Sequence, residues 1–249
     1  TLFRVEMKNW FASQKGEWNV EWKDITGEWE MYAVQGPKSL EMVNELVKTP
    51  VDDQKFFEMR KNEIDGIPVY INRAGYTGEK LGFEIYYPKA EAPAQEKKLR
   101  ELGEKLGGKE VTEFQVMAWT LPCEAGFYYM RDLRHTNPFE VGLEGGINWE
   151  KDFVGKEALS VIRDTEAERE VVGFTVEEAD IHIKGRNMGN EGEKVLVDGE
   201  EIGRVMKITY SYVQEKNIGT IICKKGILKP GDKILLHGHE AVICAPKFI

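Results

Sequence analysis

The chain has 249 residues, 31% charged and 41% hydrophobic, with a net charge of −9. That length admits one large domain or two smaller ones. Basic residues alternate with acids, as in Glu96-Lys97-Lys98-Leu99-Arg100-Glu101, which excludes the clustered Lys and Arg that nucleic-acid binding requires.

Residues 2–5 and 29–34 read as short strands, rich in apolar and aromatic side chains. Gln35-Gly36-Pro37 ends the second. Leu40, Val43, Leu46 and Val47 then share one helical face, so residues 38–47 form an amphipathic helix with Pro37 in its first turn. A strand pair follows, residues 66–73 and 82–87, joined by a loop over 74–81. A charged helix over 90–106 is closed by Gly107-Gly108, and a second helix spans 113–121. From about Arg169 the pattern becomes short β-rich runs (171–176, 218–223, 233–236) with turns at Asp198-Gly199, Lys225-Gly226 and Pro230-Gly231-Asp232. That spacing suits a small barrel. The expected division is residues 1–163 as a core and 164–249 as the barrel.

The three cysteines, Cys123, Cys223 and Cys244, are far apart and odd in number, against a disulfide framework or a zinc site. No apolar run of about 18 residues spans a membrane, and the reducing cytoplasm is the expected location. No metal site is expected. His237 and His239 would share one strand face, but no nearby acid or Cys completes a ligand set.

Two segments could carry chemistry. In Arg73-Ala74-Gly75-Tyr76-Thr77-Gly78-Glu79-Lys80-Leu81-Gly82-Phe83-Glu84 the glycines bring backbone close to a neighbour, with Tyr76, Glu79 and Glu84 as polar groups. They equally suit a hairpin loop that needs glycine for its turn dihedrals. In Leu121-Pro122-Cys123-Glu124-Ala125-Gly126, Glu124 is either a buried carboxylate requiring partners or a solvent-facing helix end.

Both segments, with Ala33-Val34-Gln35-Gly36-Pro37, Thr136-Asn137-Pro138-Phe139-Glu140-Val141-Gly142-Leu143, Asp152-Phe153-Val154-Gly155-Lys156 and Gly199-Glu200-Glu201-Ile202-Gly203, occur in the order of the glycine-cleavage T-protein family, which the chain resembles over nearly its whole length. The resemblance implies an α+β fold: a T-protein-like folate-binding core and a C-terminal small β-barrel. It implies tetrahydrofolate and transfer of a one-carbon unit to folate N5. Glu79 and Glu84 match the carboxylates that accept from the pterin edge, Tyr76 the aromatic hydroxyl, Phe83 the aromatic wall and Glu124 the glutamate after the central helix.

The family is longer than this chain, and its aspartate that orients the reacting carbon is expected upstream of Thr1. Two arginines of the glycine-cleavage branch are absent from Ala118-Trp119-Thr120-Leu121-Pro122-Cys123. With the longer Glu79–Gly82 spacing and Asn137-Pro138, this resembles the branch that demethylates small compounds. The expectation is therefore a tetrahydrofolate-dependent methyltransferase acting on a small methylated substrate. Tyr128 or Tyr129 would donate a proton to the leaving group; core packing is the other reading of both tyrosines. The alternatives are an aminomethyltransferase served by a lipoyl carrier protein and a non-catalytic folate-binding module.

Overall fold

In the computed structural model, which describes residues 3–114, 116–187 and 189–249, the expected strand pair is an antiparallel ladder. β1 (Trp29–Gln35), β2 (Met59–Ile64), β3 (Ile67–Asn72) and β4 (Gly82–Pro88) form a sheet in the order β1-β4-β3-β2. Side chains alternate across it. Val69, Ile71, Phe83, Ile85 and Tyr87 are buried on one face, against Val43 and Leu46 of α2 (Ser39–Leu46) and Leu99 of α3 (Ala92–Lys105). Tyr70, Asn72, Glu84 and Tyr86 are half-buried on the other face. β2 and β3 are joined by Asp65-Gly66, both with positive φ (53° and 82°). A two-residue hairpin turn of matching twist needs that geometry, and Asp-Gly supplies it.

α3 ends where Gly107-Gly108 placed its stop. Gly107 sits at φ 78°, its N–H donates to the Glu104 carbonyl (3.1 Å), and the Gly108 N–H reaches the Gly103 carbonyl (2.7 Å). This closure satisfies carbonyls that the helix end leaves open.

Two expectations are corrected. Residues 2–5 are not a strand: Arg4 and Val5 open α1 (Arg4–Gln14), and Leu2 lies outside the described residues. Arg4, Met7, Lys8, Ala12 and Gln14 are good helix formers, and α1 buries no residue, so local propensity decided its form. Nor is 113–121 one regular helix. Val116–Thr120 is a π-helical turn that runs into α4 (Leu121–Glu124), and Gln115 lies outside the described residues. Pro122 lacks an N–H and is confined to the first turn of α4.

The second sheet is antiparallel throughout. Its order is β6 (Lys194–Val197), β7 (Glu200–Ser211), β8 (Lys216–Lys224), β5 (Arg169–Val176), β10 (His239–Cys244), β9 (Lys233–Leu236). The edge strands β6 and β9 come into contact, and the His237 Nε2 lies 3.0 Å from the Lys194 carbonyl oxygen. The sheet is therefore nearly closed around Phe174, Val176, Val195, Val205, Ile221, Leu236 and Ile243, the expected barrel. Asp198-Gly199 and His237-Gly238 repeat the positive-φ hairpin turn. His237 is thus a turn residue and His239 opens β10, so the two do not share a strand face.

By their contacts the residues form two compact units. One runs to Gly75 and resumes over Lys80–Glu110; the other takes Tyr76–Glu79 and Val111–Ile249. The second also contains α5 (Lys156–Thr165). Among the described residues no helix is long and apolar enough to cross a membrane.

Candidate functional site

In the first unit the signature residues surround Gln35. Its Nε2 donates to the carbonyls of Ala74 (3.2 Å) and Phe83 (3.3 Å). A Cβ on Gly75 or Gly82 would lie 1.8 Å or 2.4 Å from the Gln35 Oε1. The glutamine of Gln35-Gly36-Pro37 and two signature glycines are therefore one packing arrangement that ties both ends of the β3–β4 loop. Phe83 is buried in the core of this unit, so its ring supports β4 from behind. Glu84 faces the other side, with its Oε2 accepting from Asn72 Nδ2 (2.9 Å) and from the Tyr86 hydroxyl (3.0 Å). Burial, together with the Glu84 charge, pushes the Tyr86 hydroxyl up to about 12, so it stays protonated and keeps donating.

In the second unit the tip of the same loop meets the other signature segment. Gly78 has φ 87°, and a Cβ there would stand 2.0 Å from the Ala125 Cβ. Tyr76 and Thr77 are half-buried beside it and Glu79 is exposed. Gly78→Ala adds both a steric overlap and a left-handed Cβ penalty. It is expected to lower stability by about 2–3 kcal/mol, read as a shift in the urea midpoint; a wild-type midpoint would show that the loop does not seat on Ala125.

Glu124 is 2% exposed, so the buried reading holds. Its Oε1 accepts from the Ser211 hydroxyl (2.6 Å). Its backbone carbonyl accepts from the N–H groups of Phe248 (2.9 Å) and Ile249 (3.1 Å). Ser211 belongs to a row that a β-bulge in β7 re-aims. Val205 pairs with Ile221 and Lys207 with Thr220, so Met206 is the extra residue. Val205 points into the barrel core; beyond the bulge Lys207, Thr209 and Ser211 point the other way. Thr209 bonds Thr120 (2.8 Å), and Lys207 donates to the Phe127 carbonyl and lies 3.5 Å from Asp132 Oδ2. Asp132 is fully buried and also accepts from the Tyr129 N–H (2.8 Å).

Tyr128 and Tyr129 are half-buried here. The Lys207 ammonium lies 5.2 Å from the Tyr128 ring centre. Burial, then Asp132, raises the Tyr128 hydroxyl to about 12, which keeps it a donor at neutral pH. Arg131 stacks on Trp119, its guanidinium carbon 3.0 Å from the ring centre, and burial lowers its pKa. Burial also pushes the Cys123 thiol up to about 12, which leaves it protonated and a poor nucleophile.

Sequence reasoning reached Glu124 and the glycine loop but missed Lys207 and Ser211. The available signal was the interrupted alternation of Val205-Met206-Lys207, which marks a bulge and turns Lys207 away from the barrel core.

A family model described as the GCVT N-terminal domain matches residues 2–151. An aminomethyltransferase of Thermotoga maritima is 30% identical over 248 residues, covering 96% of this chain and 65% of the relative. That of Thermoanaerobacter pseudethanolicus is 33% identical, covering 90% and 60%. A probable aminomethyltransferase of Thermococcus gammatolerans is 30% identical, covering 98% and 67%. The chain thus spans less than two thirds of the length of the first two of these relatives and about two thirds of the third. The crystal structure of the glycine cleavage system aminomethyltransferase T from Bartonella henselae shares the fold, with a TM-score of 0.62 at 17% identity, over 89% of this chain and 84% of that one.

Proposed function

Because the chain belongs to the glycine-cleavage T-protein family, we propose that it forms the greater part of a tetrahydrofolate-dependent aminomethyltransferase. Its one-carbon donor would be carried on the lipoyl arm of a partner protein. The observation that carries this reading is the seating of Gly78 on Ala125, which sets the Tyr76–Glu79 loop beside the segment of Glu124. Both are signature segments of the family, and the Ala125 methyl leaves no room for a side chain at position 78.

The chemistry suits these residues. A pterin edge presents an amino group and a ring N–H, and a carboxylate accepts both at once. Glu124, held by Ser211, is such a carboxylate in a site from which water is largely excluded, where hydrogen bonds to charge are strong. Displacement at a one-carbon unit depends on alignment of the two reactants, which positioned groups supply without a nucleophilic side chain. Tyr76 and Glu79 are proposed as further folate contacts, and Glu84 is proposed as one on its match to the family signature. Glu124→Gln keeps the size of the side chain and its contact with Ser211 but removes the charge. It is expected to weaken tetrahydrofolate binding about tenfold, followed by quenching of tryptophan fluorescence. An unchanged dissociation constant would remove Glu124 from the site.

A methyl group from a small methylated substrate is the second reading, and one observation favours it. Ala118 and Pro122, where the glycine-cleavage branch has its two arginines, are buried, so no cation stands at either position. The relatives named above favour the aminomethyl donor, and we place that reading first.

A further inference from the structure

Away from the Tyr76–Glu79 loop and the Glu124 segment, the second unit has a cleft of about 530 Å³ on the flank of the barrel. Arg169, Arg186, Arg204, Lys224, Glu191 and Glu201 line it. Arg186 is the unusual member. It is 3% exposed, and its Nη1 donates to the backbone carbonyls of Asp132 (3.2 Å) and Arg134 (2.7 Å). Its Nε is buried without a hydrogen-bond partner. The carboxylate facing it, Glu191, stands off at 3.5 Å and is itself 43% exposed. Glu191 also lies 3.6 Å from Arg134 and 3.9 Å from His135, so it faces three basic side chains without a short contact to any of them. A buried guanidinium with an unmatched donor is costly, and an oxyanion at that donor would relieve it.

The other lining groups are in place for such a ligand. Arg169 is fixed by a fork to buried Glu140 (2.7 and 2.9 Å). Arg204 is half-buried and 3.0 Å from Glu201, and Lys224 lies at the rim, paired with Glu200. Gly203 keeps the floor low, since a Cβ there would stand 2.3 Å from the Ile222 carbonyl oxygen.

We propose that this cleft binds a small oxyanion, phosphate or carboxylate, which takes the Arg186 Nε as its central donor and displaces the loosely held Glu191. The inference is independent of the folate reading. Glu191 acts as an internal competitor, and guanidinium geometry suits both ligand types.

The test is calorimetric titration of the chain with inorganic phosphate and, separately, with succinate, at low ionic strength. At least one is expected to bind with a dissociation constant below about 1 mM. Which of them binds identifies the source of the oxyanion. Glu191→Gln is expected to tighten binding about tenfold by removing the competitor. Glu157→Gln, the same charge change on the exposed face of α5, is expected to leave it unchanged. Arg204→Gln is expected to weaken binding at least tenfold without disturbing the contacts of Arg186, and it keeps the test decisive if Arg186→Gln fails to fold. Absence of binding by both anions, or equal gains from Glu191→Gln and Glu157→Gln, would overturn the proposal.

Discussion

Lys207→Met is expected to lower the unfolding free energy of the chain by about 3–5 kcal/mol, the range for breaking a buried ion pair at one partner. Lys207 is 3% exposed. Its ammonium donates to the Phe127 carbonyl and faces Asp132 across 3.5 Å. Methionine matches the length of the aliphatic stem but leaves Asp132 buried with the Tyr129 N–H as its hydrogen-bond donor and with Arg131 Nε 3.7 Å away. The loss is therefore mainly the penalty of a buried carboxylate left with one distant cation. Lys207→Met with Asp132→Asn is expected to recover much of it, because neither residue is then charged. Urea denaturation measures both. A loss under about 1 kcal/mol for the single variant would mean that Lys207 and Asp132 are not a buried pair.

Glu84→Ala is expected to weaken tetrahydrofolate binding roughly 30- to 1000-fold, equivalent to about 2–4 kcal/mol. The side chain is already aimed. Asn72 and Tyr86 hold its Oε2, on the face of β4 opposite the core, which leaves Oε1 for a ligand donor. Removing the carboxylate strands the donors of the ligand and also those of Asn72 and Tyr86. Glu79→Ala is the paired comparison: Glu79 is an exposed folate contact in this reading, and its loss is expected to weaken binding less than the loss of Glu84. Equal dissociation constants for wild type and Glu84→Ala would exclude Glu84 from folate binding.

Much of this arrangement was legible in the sequence wherever one physical requirement dominates. Alternation in Ile67–Asn72 and Gly82–Pro88 fixes two strands and their buried faces. Gly107-Gly108 gives a helix stop, and Asp198-Gly199 gives a hairpin. β2 was not legible: Arg60, Lys61, Asn62 and Glu63 carry no apolar alternation, and the strand exists because β3 offers it an edge. The strand expected at residues 2–5 failed for the converse reason. An apolar residue or two says little where nothing is buried, and helix propensity then decides. For the candidate site, Glu124 and the glycine loop were read from the order of motifs. What those glycines touch, Gln35 and Ala125, depends on tertiary packing and has no local signal. Lys207 and Ser211 reach the Glu124 segment only because Met206 bulges, and a one-residue shift of face shows in sequence as no more than a broken alternation.

The most direct test of the proposed function is a transfer assay with a choice of donors. The protein, in a sample already shown to bind tetrahydrofolate, is incubated with an aminomethyl-loaded lipoyl carrier protein, and in parallel with small methylated sulfonium, amine and methoxy-aryl compounds. Folate products are followed by mass. We expect methylene-tetrahydrofolate from the carrier and no 5-methyl-tetrahydrofolate from the small donors. Formation of 5-methyl-tetrahydrofolate from a small donor, with the carrier inert, would contradict the aminomethyltransferase reading.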